Sequence, residues 1–340
     1  MIDSSLMAAL GEVRQRTGVI VPVYLPAGVN RDLGARLLED TVQALLCQVE
    51  RPASICLSVD GEGNGTKTVQ DLARRFGVQM CCTGQNKGKL WALRHGVERL
   101  WQQEGLEYFA TVDADGDHFA NELPNLVRAG RYARPRVGEV MVLGRRISRH
   151  RPMGFLRGEL EELADRVLLD ALCYHAARSN WPLRLEYATA LEEFPDFHSG
   201  YKLFSRGAAQ AAFLREPQFC EMGEDAYFRH AVEAVLTVES LLGGACLVLV
   251  NRSTFDEQPL STFGKLERSR LVADKIAWPC KRLGVPGPFV DQWLRNHLPR
   301  LLLGTLVPQG VEELQQVRRL VLEEFGVEVR EEELARPLFV

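Results

Sequence analysis

The chain has 340 residues, a net charge of −4, 46% hydrophobic and 25% charged residues, the profile of a soluble globular protein of one large domain or two small ones. So small a net charge gives no electrostatic case for general nucleic-acid binding. The eight cysteines form no CxxC pair, which argues against a structural zinc site and for free thiols in a reducing, cytoplasmic setting. The first residues lack a basic start followed by an apolar run, so no signal peptide is expected. No apolar run approaches the roughly 18 residues of a membrane-spanning helix.

In chain order, residues 1–17 read as a short helix or frayed arm, and Gly18 to Tyr24 as the first strand. After a loop containing Pro26 and Gly28, apolar residues from Leu33 to Val49 recur at helical spacing. Ser54 to Val59 is the second strand, ending at Asp60 and the glycine-rich Gly61–Gly65 loop; Thr66 then caps a helix. Val78 to Cys82 is the third strand. Thr83 to Gly88 leads into a helix with Leu90, Leu93, Val97 and Trp101 facing inward. Tyr108 to Val112 is a strand covered on both faces, followed by a helix from Asn121 and a strand from Val140 to Leu143. This alternation predicts a mostly parallel, doubly wound α/β sheet.

The middle of the chain has a different texture. The arginine-rich stretch Arg145 to Arg157 reads as a mobile or ligand-facing loop, and Leu156 to Ala177 as a long helix. Phe194 to Arg206 reads as loop plus strand, and Gly223-Glu224-Asp225 opens another helix. Ala245 to Val250 is a late strand, and from about residue 261 the pattern is helical only. The expected division is therefore a sheet domain over 1–258 and a helical C-terminal extension over 259–340.

The densest chemical signal is Asp113, Asp115 and Asp117, alternating directly after an apolar strand. In open α/β sheets ligands bind at that end of the strands. Carboxylates so close repel one another unless a hard cation such as Mg²⁺ or Mn²⁺ holds them. An EF-hand is excluded, because its glycine position would be His118 and its glutamate position Pro124. Asp60 before the glycine loop is either a turn cap or a carboxylate for a base or ribose. Lys87 and Lys89 oppose a helix N-terminal dipole and are either exposed solubilising lysines or cations for an anionic ligand. Alone, Glu224-Asp225 reads as helix capping, and His198 as a structural histidine.

The order of these motifs says more than any one of them. VPVY, SVDG, NKGKLWALRHG, TVDADGD, SGYKLFSR and GEDAYF, spread over Gly18 to Val250, together resemble the family 2 glycosyltransferases. The resemblance implies a GT-A fold, a Rossmann-like mostly parallel sheet flanked by helices. It also implies transfer of a sugar from a nucleotide-diphosphate donor to an acceptor hydroxyl, with inversion and with Mn²⁺ or Mg²⁺. On the matching positions it puts Pro22, Tyr24, Asp60, Lys87 and Asp113 on the nucleotide, and Asp113, Asp115 and His198 on the metal. Asp225 becomes the catalytic base, and Gln48 fits the pattern as well.

There are departures: Leu25 stands where asparagine is usual, the turn after Asp60 is loosened, and Gln258 and Arg268 do not make QxxRW. With no membrane helix expected either, a polysaccharide synthase is disfavoured. The acceptor, whether small molecule, glycan or lipid-linked, and a homo-oligomeric state stay open. Peripheral membrane contact would suit Arg295, His297 and Arg300 beside Leu301–Leu303. Two other readings are a haloacid-dehalogenase-like phosphohydrolase with Asp113 as nucleophile, and a non-catalytic nucleotide-sugar binder.

Overall fold

The computed structural model describes residues 2–27, 30–148, 154–188, 194–255 and 267–329. Its centre is a sheet of seven strands in the order β3-β2-β1-β4-β6-β5-β7. The strands are β1 (Thr17–Val23), β2 (Ile55–Val59), β3 (Gln79–Cys82), β4 (Tyr108–Thr111), β5 (Val140–Arg146), β6 (Lys202–Ser205) and β7 (Cys246–Arg252). All neighbours are parallel except β6, which runs antiparallel to both β4 and β5. The mostly parallel, Rossmann-like sheet expected from the motif order is thus present. The reversal of β6 was not expected, because the FPDFHSGYKLFSR stretch carries no local mark of direction.

The strands alternate faces. Val19, Val21 and Val23 of β1 point into one core, with Tyr108, Ala110, Val140 and Val142. Ile20 points into the other, with Phe109, Met141 and Phe204. A strand buried on both sides has no polar face, which is why these segments read as largely apolar runs. The first core is covered by α1 (Ile2–Arg16), α2 (Arg31–Leu46), α3 (Thr66–Phe76) and α5 (Leu123–Val137). The second is covered by α4 (Lys89–Trp101), α6 (Phe155–Ser179) and α7 (Val232–Leu242).

The helical extension forms α8 (Arg268–Arg282), α9 (Gly287–His297) and α10 (Gly310–Glu323). Its Ile276, Trp278, Leu294 and Val317 are buried in the same core as Leu93, Leu163 and Phe228. Position 258, the expected boundary, lies outside the described residues, as do Gly28, Arg149 and Arg151. No helix among the described residues is long and apolar enough to cross a membrane. Of the leucines considered for a membrane surface, Leu301 and Leu303 are buried and only Leu302 is exposed. Arg295 is paired with Asp291 at 2.9 Å and His297 with Asp170 at 2.6 Å.

Several local expectations are corrected. Gly65, at φ +98°, takes the N-cap position of α3, and the Thr66 hydroxyl instead accepts from the Gly63 N–H. Arg145 and Arg146 are the last residues of β5, not loop. Arg146 is buried between Asp196 and Glu161, at 2.5 and 2.9 Å, so its charge is spent inside the protein. Gln48 sits where the Glu50 N–H meets the Arg14 carbonyl, just ahead of β1 and so at the sheet edge away from the strand ends.

Gly96 lets α4 lie against the sheet: a Cβ there would sit 2.5 Å from the Ile20 Cγ2 in β1. Exchanging it for alanine improves helix propensity but forces backbone apart in a packed core. We expect Gly96→Ala to destabilise the fold by about 1–3 kcal/mol in urea unfolding; a neutral or stabilising result would show that this approach is not tight.

Candidate active site at the strand ends

The C-terminal end of β2 meets the loop that follows β3, residues 83–88, where the Thr83 N–H donates to the Val59 carbonyl, and three brackets fix this loop. The first is Asp60, which continues β2 by donating its N–H to the Val23 carbonyl. Its buried carboxylate accepts the N–H groups of Lys87 (3.0 Å) and Gly88 (3.0 Å). Burial pushes the Asp60 carboxyl up, while those two N–H groups and Arg229 pull it back only in part. The second bracket is Thr83, whose hydroxyl receives the Gly61 N–H at 2.8 Å.

The third is Gly88. It adopts φ +122°, and a Cβ there would run into the Phe228 carbonyl oxygen and lie 2.5 Å from the Arg229 Cγ. Only glycine fits that backbone and that gap. The π-helical turn Ala226–His230 is therefore pressed on the loop, and Arg229 locks it by donating to the Asn86 carbonyl at 2.6 Å. Asp225 immediately precedes this turn; its carboxylate accepts from the Arg229 Nε at 2.6 Å and its side chain is 72% exposed. Glu224 pairs with Lys87 at 3.0 Å. Asp60, Lys87, Glu224 and Asp225 form one connected cluster, although Lys87 and Glu224 are 137 residues apart.

The DADGDH turn after β4 is built as tightly. The Asp113 N–H donates to the His118 Nδ1 at 2.9 Å, so the proton of this neutral ring is on Nε2, 3.8 Å from Asp113 Oδ2. Burial holds His118 well below its ordinary value despite Asp113, and its ring stacks on Tyr201 at 4.8 Å. Asp117 turns inward, receiving Arg252 (3.3 Å) and the Phe255 N–H (3.0 Å), and so anchors the turn to β7. Asp113 pairs with Lys89 at 2.8 Å. Burial alone would raise the Asp113 carboxyl, but the Lys89 ammonium holds it well below the usual range. Among the described residues Asp115 receives only the Asp117 N–H, at 3.2 Å. Burial, then Asp113, push it up to about 6. Asp115 is where the negative charge of the turn is left in surplus.

The SGYK segment passes beside this turn. The Thr111 hydroxyl donates to the Gly200 carbonyl at 2.8 Å, and a Cβ on Gly200 would lie 2.9 Å from Asp113 Oδ2. His198 is buried, with its Nδ1 on Asp165 at 2.7 Å. A carboxylate only accepts, so Nδ1 carries the proton, and the buried Nε2 has no hydrogen-bond partner among the described residues. A carboxylate behind the ring is how proteins orient a ligating histidine. Among the described residues no three His, Cys, Asp or Glu side chains already surround one metal position. Pro22 lies in β1 opposite Ser58, and Tyr24 emerges half-exposed at the strand's end. Two surface recesses, about 410 and 580 Å³, open by Gln79 and Gln103 and by Met7 and Glu50; neither is lined by any of these site residues.

Sequence reasoning picked out Lys89 as a cation at a helix N-terminus, without its carboxylate partners, and missed Glu233, His118, Arg229 and Asp165 as parts of this cluster. Glu233, on α7, meets Lys89 at 3.1 Å across 144 residues, a pairing no local pattern could announce.

No protein-family model matches the chain, and no curated protein does either. Solved structures do resemble it. Mannosyl-3-phosphoglycerate synthase from Rubrobacter xylanophilus is 16% identical over 91% of this chain and 84% of that one, with a TM-score of 0.47. Glucosyl-3-phosphoglycerate synthase from Mycobacterium tuberculosis, in complex with Mg²⁺ and uridine diphosphate, is 16% identical over 83% and 84%, at 0.46. TarS 1-349 of S. aureus is 13% identical over 91% and 89%, at 0.42. These are distant likenesses, and the chemistry must come from this chain's own side chains.

Lys202, in β6, is fully buried and donates to the carbonyls of Phe197 and Ser199, tying the SGYK segment to the sheet. Burial pushes this ammonium down to about 8, with Glu233 opposing. Between that value and the ordinary one near 10.5, the unfolded chain holds a proton that the folded chain has lost, so stability rises with pH in this window. We expect wild-type stability to rise relative to Lys202→Met between pH 8 and 10.5, by at most about 3 kcal/mol. Parallel denaturation curves across that window, with a constant gap, would refute this.

Proposed function

We propose that the chain is a glycosyltransferase that moves a sugar from a nucleotide-diphosphate donor to an acceptor hydroxyl, with inversion and with a divalent cation. What carries the reading is one juxtaposition. The carboxylates after β4, the loop bracketed by Asp60 and the turn headed by Asp225 are linked through Lys87 and Lys89 into a single cluster. The motif order of the sequence assigned these same segments to one reaction.

The side chains suit a hard cation. Asp115 carries surplus charge that burial makes costly, Asp113 stands beside it, and the His198 Nε2 is buried without a partner among the described residues. Asp113, Asp115 and His198 would hold Mn²⁺ or Mg²⁺ together with donor oxygens. The cation would supply Lewis-acid stabilisation of the charge that develops on the leaving diphosphate.

The chain's own residues do the rest. Asp60 holds the N–H groups of Lys87 and Gly88 in place, supporting the loop, and its carboxylate keeps acceptor capacity for the nucleotide. Lys87, released from Glu224, brings an ammonium to the diphosphate side. Tyr24 offers an aromatic face at the end of β1 for the nucleotide. Asp225 is the general base for the acceptor hydroxyl. It sits in the open where an acceptor can reach it, and Arg229 keeps it oriented. Inversion follows from attack by that hydroxyl opposite the leaving group.

The test is donor turnover with a panel of nucleotide sugars and Mn²⁺. Asp115→Ala and Asp225→Asn should each lose at least about 100-fold in transfer or hydrolysis. Full activity in both variants would overturn the proposal. Tight binding of a nucleotide sugar with no turnover by the wild type would make the chain a binder instead.

A further inference from the structure

A single ammonium stands between the two halves of the cluster. Lys89 Nζ is 2.8 Å from Asp113 Oδ1 and 3.1 Å from Glu233 Oε1. Its position is confined: a Cβ on Gly200 would lie 3.1 Å away, so backbone walls one side of it. Asp113 belongs to the strand-end turn and Glu233 to α7, one turn beyond the segment headed by Asp225. One positive charge is thus divided between a carboxylate at the proposed cation site and a carboxylate outside it.

Resting on the reading that Asp113 and Asp115 hold a divalent cation, we propose that Lys89 and Glu233 set the cation affinity of that site with opposite signs. Lys89 is a resident competitor. Its ammonium neutralises Asp113 and repels a second cation arriving at the same carboxylate. Glu233 draws part of that charge away and so leaves Asp113 more available.

The electrostatics follow from the distances. At separations of 3 to 6 Å near a protein surface, a unit charge changes an ion's affinity by a substantial factor. Replacing Lys89 with a neutral residue unmasks Asp113 and removes a repulsion, so the cation binds more tightly. Replacing Glu233 with glutamine leaves the whole ammonium to Asp113. It also strips counter-charge from Lys202 and Lys275, two further cations whose fields reach Glu233. Both consequences of losing the Glu233 charge weaken cation binding. Neither residue needs to touch the ion, so both are positioning residues. Loss of a merely structural contact would weaken binding in both variants alike.

The experiment is Mn²⁺ titration of the full chain, followed by the spin-resonance signal of free Mn²⁺, with saturating UDP and again with GDP. Lys89→Met should tighten Mn²⁺ binding by at least about threefold, and Glu233→Gln should loosen it by at least about threefold. Lys89→Arg, which keeps the charge, should stay within about twofold of wild type, and the spread should narrow in high salt. Shifts in the same direction in both variants, or no shift beyond about twofold in either, would overturn the proposal. If Lys89→Met does not fold, Glu233→Gln decides alone: unchanged or tighter binding overturns it. A wild type that binds Mn²⁺ with neither nucleotide would overturn the proposed function, and this inference with it. Wild-type binding without the opposite shifts overturns only the inference.

Discussion

Negative charge delivered to one edge of a sheet has to be answered, and most of the site's local structure consists of those answers. Asp60, Asp113, Asp115 and Asp117 all arrive at the C-terminal ends of β2 and β4. Asp60 is answered by two backbone N–H groups, Asp117 by Arg252, and Asp113 by Lys89. Each answer fixes geometry as well as charge. The N–H groups on Asp60 fix the loop before α4, Arg252 ties the turn to β7, and Lys89 ties it to α7. Asp115 is the remainder, with a single backbone N–H among the described residues. The surplus left there is what makes the edge a place for an incoming cation rather than a finished ion-pair network.

The elements on either side of the sheet were readable because burial on two faces leaves a plain signature. Val19 to Val23 is apolar throughout and Ile55 to Val59 and Tyr108 to Thr111 are largely so, broken only by the hydroxyls of Ser58, Tyr108 and Thr111, and the helices between them repeat their apolar positions at helical spacing. The site was readable in part for a similar local reason: carboxylates directly after an apolar strand have few bland explanations. What stayed hidden involved partners distant in sequence. The direction of β6 is decided by its neighbours β4 and β5. Glu233 lies within a helix and acquires meaning only through Lys89. Arg146 reads as part of a basic loop, yet it is buried, because Asp196 and Glu161 come from elsewhere to meet it. Gln48 matched a motif by sequence position, but its helix carries it to the wrong end of the strands.

The buried ions on the α6 face give the helical extension a physical tie to the site. Glu161 of α6 receives Arg146 from β5, Arg157 from its own helix and Lys275 from α8. Glu159, two residues earlier and so on the opposite flank, accepts the Leu303 N–H at 3.2 Å. These pairs are too deeply desolvated to be counted as simple gains in stability, but leaving any member unpaired would be costly. They therefore specify how α8 and the segment before α10 seat on the sheet. That face also carries His198 and Lys202, so the seating of the extension and the shape of the SGYK segment are set together.

The contact between Gly88 and the Phe228 carbonyl has a consequence for redesign. A loop that touches another element only through side chains can be exchanged like a cartridge, with the neighbour repacking around it. Here backbone meets backbone, and the loop's curvature and the π-helical turn are two halves of one mould. A chimera that imports a different 83–88 loop to change the donor must import residues 224–230 with it. The minimal transplantable unit of this site is therefore discontinuous, two short segments from distant parts of the chain, and neither should be expected to work in a host that lacks the other.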